Sequence, residues 1–343
     1  MAQIGRMNSI TDVAGVLVGH YTNREAVSGV TVTIFPEGAV PGVDVRGSAP
    51  GTRETDCLDP VNMIRTIHGI MLGGGSVFGL SAADGVVRWL AEKGWGFPMQ
   101  DLGVLPIVPA AILYDCNRGP VFFPPIDARW GRAACEAATN GEIAQGSVGA
   151  GTGALAGGMK GGVGTASEVL GSGITVGALV AVNSLGSVVN PATGSPWEIR
   201  LEIGNEFGAL GRRAVKVPQA DFSLRPATNT TIGVVATDAV LTKAQCQKIA
   251  QMAHDGMARS IRPSHTMFDG DTLFCAATCK RELPDTPGFF ESPKAFAINE
   301  LGRAAADCVS RAIVHAIIRA ETIGDMIAFA DLPEKSFLGD HGT

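Results

Sequence analysis

The residues that could do chemistry in this 343-residue chain do not form a standard catalytic signature. There is no HExxH and no G-x-S-x-G, and the six histidines are spread without the spacing of a metal site. The nearest match to a nucleophile elbow is Gly79-Leu80-Ser81-Ala82-Ala83, but Ser81 falls within a helical pattern. We interpret Ser81 as a small packed helix residue, and the sequence disfavours a zinc hydrolase.

The junction between Asn229 and Thr230, at the start of a buried strand, allows two interpretations. In the ordinary one, Asn229 ends a loop and Thr230 is a residue that favours β-structure. In the other, the Thr230 hydroxyl attacks the Asn229 carbonyl, the ester hydrolyses, and Thr230 becomes an N-terminal nucleophile. The freed α-amine, with a reference pKa of about 7.7 to 8, would then act as the general base without a histidine.

A second unusual residue is Lys160, one of only two charged residues between Glu142 and Glu198. Glycine is dense from residue 146 to residue 164, which indicates close approach of backbones. A lone ammonium group in such a segment is unfavourable unless another group uses it. Lys160 is therefore a candidate site residue, and the alternative is a surface lysine whose charge reaches water.

The same segment carries Gly151, Gly153 and Ala156 in a loose G-x-G-x-x-A pattern. No apolar strand leads into it, no GK[ST] occurs, and no acidic residue follows at the expected distance. We therefore expect no nucleotide cofactor.

Buried strands are predicted at residues 16–18, 30–35, 104–113 and 174–182, and from Thr230 onward. Thr266–Phe274 is predicted as a hairpin with Asp-Gly-Asp as its turn. Strands and helices in this mixture predict a layered α/β protein without strict βα alternation.

Three helices are predicted from periodic apolar residues. The first has Val77, Leu80, Ala83, Val87 and Leu90 on one face and ends at Gly94. The second begins with a capping box at Thr242 and Gln245; the last spans Lys294 to Ala320. Their apolar faces comprise Ala244, Ile249, Met252, Ala253 and Met257, and then Ala297, Leu301, Ala305, Cys308, Ala312 and Ile317.

Composition narrows the class of protein. The chain has 45% apolar and 17% charged residues despite its 45 glycines, which excludes disorder, and its net charge of −6 disfavours nucleic-acid binding. The uncharged segment 169–197 contains too many polar residues and prolines for a membrane span. Seven dispersed cysteines without CxxC indicate free thiols, and the N-terminal residues lack a signal-peptide pattern, so we expect a cytoplasmic protein.

Seven ordered segments resemble one family, the L-aminopeptidase D-esterases and β-peptidyl aminopeptidases (DmpA-like) together with the nylon-oligomer hydrolases of the NylC type. The segments are NSITDVAGVLVGH, VRGSAPGTRETD, GGGSVFGLSAADGV, GSVGAGTGALAGGMKGGVGTAS, ITVGALVAVN, NTTIGVVATDA and HTMFDGDTLF. The resemblance covers nearly the whole chain. It implies that Thr230 is a nucleophile released by self-cleavage into residues 1–229 and 230–343. The residues alone leave Thr231 as a competing candidate, but it lies one residue past the matched scissile position.

The resemblance also implies roles for five other residues. Lys160 would lie near the nucleophile, and Asn183 would supply the oxyanion-hole amide. Asp269 and Asp271 would orient the nucleophile, and Tyr114 would contact the scissile region. The alternatives for these residues are a turn asparagine, an exposed Asp-Gly hairpin turn and an ordinary half-buried tyrosine.

The sequence departs from the aminopeptidase members, in which we expect Ser and Glu at positions 269 and 271, and it resembles the NylC type there. The implied fold is a four-layer αββα sandwich that forms a homo-tetramer of α/β heterodimers. The implied reaction is hydrolysis of small amides, β-peptides or ω-amino acid oligomers through a Thr230 acyl-enzyme, without a cofactor or metal. An acyltransferase of the ornithine acetyltransferase type and a non-catalytic binding protein remain as alternatives.

Overall fold

The computed structural model describes residues 3–218, 229–286 and 292–335. The strands are β1 (Leu17–Asn23), β2 (Ser28–Val45), β3 (Thr52–Arg53), β4 (Ile67–Gly73), β5 (Phe97–Pro98), β6 (Val104–Leu105), β7 (Ala110–Ile112), β8 (Leu155–Ala156), β9 (Met159–Lys160), β10 (Gly162–Val169), β11 (Thr175–Asn183), β12 (Thr230–Ala239) and β13 (Thr272–Arg281). The α-helices are α1 (Ala82–Glu92), α2 (Ala128–Glu136), α3 (Gly208–Gly211), α4 (Lys243–Ser260) and α5 (Ala295–Ile318).

One long strand joins two halves of the main sheet. The order is β10-β11-β12-β13-β2-β4-β7-β3, with β1 also paired to β2. The early part of β2 pairs with β4 and the late part with β13, and the register shifts between Ile34 and Ala39. Pro36 and Gly38 lie at this shift, and Gly38 has a φ of +79°. The strand therefore changes partners where its backbone departs from regular geometry.

Three apolar clusters show how the layers stack. The first packs β10–β13 against α4 and α5, and the third packs β1, β4 and the early part of β2 against α1 and α2. The second lies between the two halves of the sheet and contains Leu72, Ile232 and Phe274. The order helices, sheet, sheet, helices confirms the predicted four-layer αββα arrangement.

Several predicted elements are confirmed. The capping box is present, since the side chains of Thr242 and Gln245 bond each other's backbone N–H groups at the start of α4. The predicted last helix corresponds to α5, and its apolar face is buried. Residues 174–182 correspond to β11, and the strand predicted from Thr230 is β12.

Other predictions are wrong in detail. Residues 76–81 form a 3₁₀ helix, and α1 begins only at Ala82, so Val77 is 63% exposed. Ala244 is also exposed, because α4 buries a face centred on Cys246, Ile249 and Ala253 instead.

The predicted hairpin at Thr266–Phe274 is also wrong. Residues 263–268, which lead into the Asp-Gly-Asp turn, form no strand, and β13 after the turn pairs in parallel with β12 and antiparallel with β2. The turn is buried under the residues that follow β2, because the N–H groups of Arg46 and Gly47 donate to the Asp271 carbonyl and that of Ala49 to the Asp269 carbonyl. Long-range pairing therefore overrides the local turn signal.

A buried ion-pair network connects the chain before Asn229 to α5. Glu206 accepts hydrogen bonds from Arg311 Nε at 2.6 Å and His315 Nε2 at 2.9 Å, and the side chains of Glu206 and Arg311 are 3% and 1% exposed. Burial opposes ionisation of Glu206, but the hydrogen bonds from His315 and Arg311 outweigh it and lower the pKa to about 2. The network thus joins residues on both sides of the Asn229-Thr230 junction.

Within the three described ranges, none of the helices combines the length and apolarity that a membrane crossing requires. All seven cysteines are free thiols, and five of them are buried.

Candidate active site

Two adjacent strand ends bring Thr230 and Asn183 together. β12 begins at Thr230 and β11 ends at Asn183, and the two residues are directly opposite each other in the antiparallel pair. Directly opposite side chains lie on the same face of a sheet, with Cβ atoms about 4.5–5.5 Å apart. The amide that the resemblance implies as an oxyanion donor therefore lies beside the implied nucleophile.

The Thr230 hydroxyl contacts the carbonyl group that it would attack. Thr230 Oγ1 donates to the carbonyl oxygen of Asn229 at 2.5 Å, and Thr230 is only 6% exposed. The backbone N–H of Gly270 donates to the same oxygen at 3.2 Å. Two donors thus polarise the Asn229 carbonyl.

Thr231 differs from Thr230 in both orientation and contacts. Because side chains alternate along a strand, Thr230 shares the face of Ile232, which packs between the two halves of the sheet. Thr231 shares the face of Val235, which packs toward α4 and α5. The Thr231 hydroxyl is buried and has no hydrogen-bond partner among the described residues. Of these two threonines, Thr230 is the one whose hydroxyl contacts the Asn229 carbonyl.

The two carboxylates of the Asp-Gly-Asp turn are buried, so the alternative of an exposed turn is wrong. Asp271 Oδ1 accepts the backbone N–H of Thr231 at 2.7 Å, and Asp269 Oδ2 accepts the Thr266 hydroxyl at 2.6 Å. Burial raises the pKa of Asp269, and the negative charge of Asp271 raises it further. The Asp269 carboxyl group therefore holds a proton more readily than an ordinary aspartate does.

A histidine that the sequence analysis did not select joins this site. His265 Nδ1 lies 2.8 Å from Asp271 Oδ2, and the backbone N–H of His265 donates to the same oxygen at 3.0 Å. His265 lies within the HTMFDGDTLF segment, but its six-residue separation from Asp271 matches no standard catalytic spacing. The contact depends on the shape of the turn.

Asn183 and Tyr114 meet through the tyrosine backbone. Asn183 Nδ2 donates to the Tyr114 carbonyl at 3.1 Å, and Asn183 Oδ1 accepts the Leu155 N–H at 2.9 Å. Asn183 is fully buried and Tyr114 is half-buried. These bonds fix the orientation of the amide beside Thr230.

Lys160 is fully buried, so the alternative of a surface lysine is wrong. Its ammonium group donates to the carbonyls of Gly151, Ala154 and Gly161 at 2.7 to 3.1 Å. Burial lowers the pKa of Lys160 to about 7, while the charge of Asp115 raises it. Because Ala154 precedes Leu155, whose N–H contacts Asn183, Lys160 supports the loop that orients the amide.

Asp115 is a second buried charge that the sequence analysis did not select. Its carboxylate accepts the Ser28 hydroxyl at 2.7 Å and the Gly75 N–H at 2.6 Å. Burial raises its pKa to about 6, against these hydrogen bonds and the charges of Arg118 and Lys160. The residue follows Tyr114 directly, so it ties the backbone carbonyl that holds Asn183 to β2.

No metal site is evident in the part of the chain that the structure describes, where no three His, Cys, Asp or Glu side chains cluster. The arrangement at the start of β12 consists of one hydroxyl, one amide, two carboxylates and a polarised carbonyl. Such groups suit acyl transfer through a covalent intermediate.

Two solved structures share this fold. A β-aminopeptidase of Burkholderia sp. aligns with a TM-score of 0.71 and 26% identity, over 97% of this chain and 92% of that one. The L-aminopeptidase D-Ala-esterase/amidase of Ochrobactrum anthropi, described as a variant of the Ntn hydrolase fold, aligns with a TM-score of 0.72 and 24% identity over the same shares. The chain therefore has the fold of these two structures.

The chain belongs to peptidase family S58, whose sequence model matches residues 8–327. An uncharacterized aminopeptidase of Mycobacterium leprae is 45% identical over 98% of this chain and 96% of its own. A 6-aminohexanoate-oligomer endohydrolase of Kocuria sp. (strain KY2) is 33% identical, over 91% of this chain and 86% of its own. The protein is therefore an amide-bond hydrolase, and the resemblance found in the sequence motifs is confirmed.

Proposed function

We propose that the chain cuts itself between Asn229 and Thr230 and then hydrolyses small amides with Thr230 as its N-terminal nucleophile. One observation carries this proposal: the Thr230 hydroxyl and the Gly270 N–H both contact the Asn229 carbonyl oxygen. A hydroxyl held on the preceding carbonyl, with a second donor for the developing oxyanion, is what an intramolecular acyl shift requires.

Self-cleavage needs no reagent other than water. Thr230 Oγ bonds to the Asn229 carbonyl carbon and loses its proton, and the Gly270 N–H stabilises the oxyanion. The C–N bond then breaks, and the Thr230 nitrogen takes up a proton to become a free amine. Water hydrolyses the ester, leaving a carboxylate on Asn229 and restoring the Thr230 hydroxyl.

During turnover, the new N-terminal residue Thr230 would supply both the nucleophile and the general base. The α-amine of Thr230, with a reference pKa of about 7.7 to 8, takes the proton of its own hydroxyl as that oxygen attacks the substrate carbonyl. The Asn183 amide, on the same face of the sheet, stabilises the oxyanion. The amine product leaves with a proton, and water then releases the acid from Thr230.

The remaining residues support these groups. Asp271 holds the start of β12 through the Thr231 N–H, and we assign to Asp269, whose backbone pairs with Asn229 and whose carboxyl pKa is raised, the donation of a proton to the leaving amine. Lys160 has all three ammonium protons on backbone carbonyls, so we assign it to positioning the loop of Leu155 rather than to binding the oxyanion. Tyr114 contributes its carbonyl to the orientation of Asn183.

The substrate we propose is a short amide with a free amino end and an apolar body, such as an aminoacyl amide, a β-peptide or an ω-amino acid oligomer. Met267 and Phe268 directly precede Asp269 and are 75% and 42% exposed, which gives an apolar surface beside the site. The names of the relatives, an aminopeptidase and a 6-aminohexanoate-oligomer endohydrolase, agree with this class.

We further propose a homo-tetramer, as the resemblance implies. Phe78, Phe122 and Phe123 are each about half exposed and form one cluster, with ring centroids 4.8 Å and 4.6 Å apart. Exposed aromatic clusters of this kind suit contact between copies. Sedimentation of the wild type beside Phe122→Ser tests this: a monomeric wild type overturns it.

Denaturing electrophoresis and Edman sequencing test the central proposal. The wild type should give fragments of about 23.6 and 11.8 kDa by proportion from 35.4 kDa, the smaller beginning Thr-Thr-Ile-Gly. Thr230→Ala should remain intact and inactive, whereas the matched variant Thr231→Ala should be cut. Cleavage of Thr230→Ala at the same bond, or an uncut wild type that hydrolyses amides, overturns the proposal.

The same purified protein distinguishes hydrolysis from acyl transfer. An amide substrate is supplied with and without an added amine acceptor, and the products are separated by mass spectrometry. Release of the free acid in both mixtures supports the hydrolase, and exclusive formation of the acylated amine supports the transferase instead.

A further inference from the structure

His265 and Thr231 together make three contacts that fix one carboxylate. Its backbone N–H and its ring Nδ1 both reach Asp271 Oδ2, at 3.0 and 2.8 Å. Asp271 Oδ1 accepts the N–H of Thr231 at 2.7 Å. An ionised carboxylate can only accept hydrogen bonds, and toward such a group the His265 ring donates from a protonated Nδ1.

The backbone of His265 is held in the geometry that these contacts need. Its φ of +55° lies in the left-handed region, which His and Asn adopt more readily than most residues. The ring packs edge-on against His254 of α4, with centroids 4.9 Å apart. His265 is therefore oriented from both its backbone and its ring.

The charged and titratable groups around His265 come from three elements. Asp269 and Asp271 belong to its own turn, and His254 faces it from α4. Asp44, at the end of β2, accepts from His254 Nε2 through its carbonyl at 3.0 Å, and its carboxylate pairs with Arg46. Of these groups, only Asp271 makes a hydrogen bond to the His265 ring among the described contacts.

These contacts end at Thr231, the residue bonded directly to Thr230. Asp271 holds the N–H of Thr231, which fixes the backbone immediately after Thr230, and it lies two residues from Asp269, whose protonation its charge favours. A donor that fixes Asp271 thus affects the placement of the Thr230 hydroxyl, and the charge that it holds in place is the one that raises the pKa of Asp269.

We infer that His265 is a positioning residue for self-cleavage: by donating to Asp271 Oδ2 it aligns the carboxylate whose other oxygen holds the Thr231 N–H, directly after Thr230. The inference rests on the proposed self-cleavage. In this arrangement, hydrogen bonds connect His265 to Asp271 and Asp271 to Thr231, which is adjacent to the nucleophile.

The test compares His265→Ala with His265→Asn in the full chain, following cleavage by denaturing electrophoresis across a pH series. The alanine variant loses the donor, so cleavage should slow by about 10-fold or more, and the acidic limb of its rate profile should move to higher pH. Asparagine accepts the same backbone geometry and carries an amide N–H near the position of Nδ1, so it should recover most of the rate and the original limb.

His254→Ala is the matched control, because it removes the other ring of the same stack without touching Asp271. Its cleavage profile should keep the wild-type acidic limb. An unshifted limb in His265→Ala, or an equal shift in His254→Ala, overturns the role of His265 while leaving self-cleavage standing. A wild type that never cuts overturns the proposed function, and this inference with it.

A measurement on the wild type keeps the inference testable if the alanine variant does not fold. Nitrogen NMR of ¹⁵N-histidine-labelled protein, with the His265 signals assigned by the asparagine variant, shows which ring nitrogen bears the hydrogen. A protonated Nδ1 supports the donor role, and an unprotonated Nδ1 overturns it.

Discussion

Gly270→Ala tests the geometry of self-cleavage most directly. A Cβ atom at residue 270 would lie 2.9 Å from Thr230 Oγ1 and 2.7 Å from the Ala49 carbonyl oxygen, about 0.5 and 0.7 Å inside the 3.4 Å limit of ordinary contact. The Ala49 contact is with backbone, so the turn itself must shift to relieve it, and the Thr230 hydroxyl must also move away from the new Cβ. A displacement on the order of 1 Å at a reacting atom can lower a rate by about 10²-fold.

The assay is the rate at which newly made full-length chain disappears on denaturing gels after a pulse of synthesis. Gly270→Ala should cut about 100-fold more slowly than the wild type, and overpacking should lower its stability by about 1–3 kcal/mol. Gly69→Ala is the matched control in a buried strand, because its new Cβ would meet nothing closer than 3.5 Å. A folded Gly270→Ala chain that cuts at the wild-type rate would refute the reasoning.

Three further predictions follow from other contacts. Asn183→Ala should lower kcat/KM for amides by about 10²–10³-fold yet still cut itself, because Gly270 serves the Asn229 carbonyl; an uncut Asn183→Ala chain would contradict the separation of the two oxyanion donors. The pKa of Glu206, about 2 when folded against an ordinary 4.5, predicts stability that is complete above pH 4.5 and falls by about 3 kcal/mol as the pH drops to 2. Urea unfolding of the uncut Thr230→Ala chain should show this loss, Glu206→Gln should abolish it, and Glu321→Gln, in an exposed pair with Arg24, should leave it unchanged. Lys160→Met should leave three buried carbonyls without their donor and lower the free energy of unfolding by about 1–3 kcal/mol in the same assay; an unchanged value would show that those carbonyls find other partners.

Elements with strong local signals were predictable. The capping box at Thr242 and the apolar face of α5 depend on residues three to four apart, and β12 on a short run of β-favouring apolar residues. The buried faces of α1 and α4 were less predictable from the sequence. Val77 is exposed because its turn is a 3₁₀ helix that precedes α1, and Ala244 because tertiary contacts rotate the buried face of α4.

The turn at Asp269 shows where prediction from a short sequence segment fails. Asp-Gly-Asp is a good hairpin signal, yet the strand after it pairs with Thr230's strand and with β2, more than 200 residues earlier in the chain. Partners at such separations are selected by burial of whole sheet faces, which no short segment contains. The same long-range pairing turns two apparently surface carboxylates into buried ones.

The sequence by itself supplied the groups that can attack a carbonyl or hold a charge, because a threonine, an asparagine, a lysine and two aspartates carry their chemistry in any fold. The tertiary structure alone decided their relations. It placed Asn183 opposite Thr230, aimed one threonine rather than the next at the Asn229 carbonyl, withdrew Lys160 from solvent and brought His265 onto Asp271. The reason is physical: chemistry resides in side chains, whereas distance, orientation and burial arise only when strands far apart in the chain share a sheet.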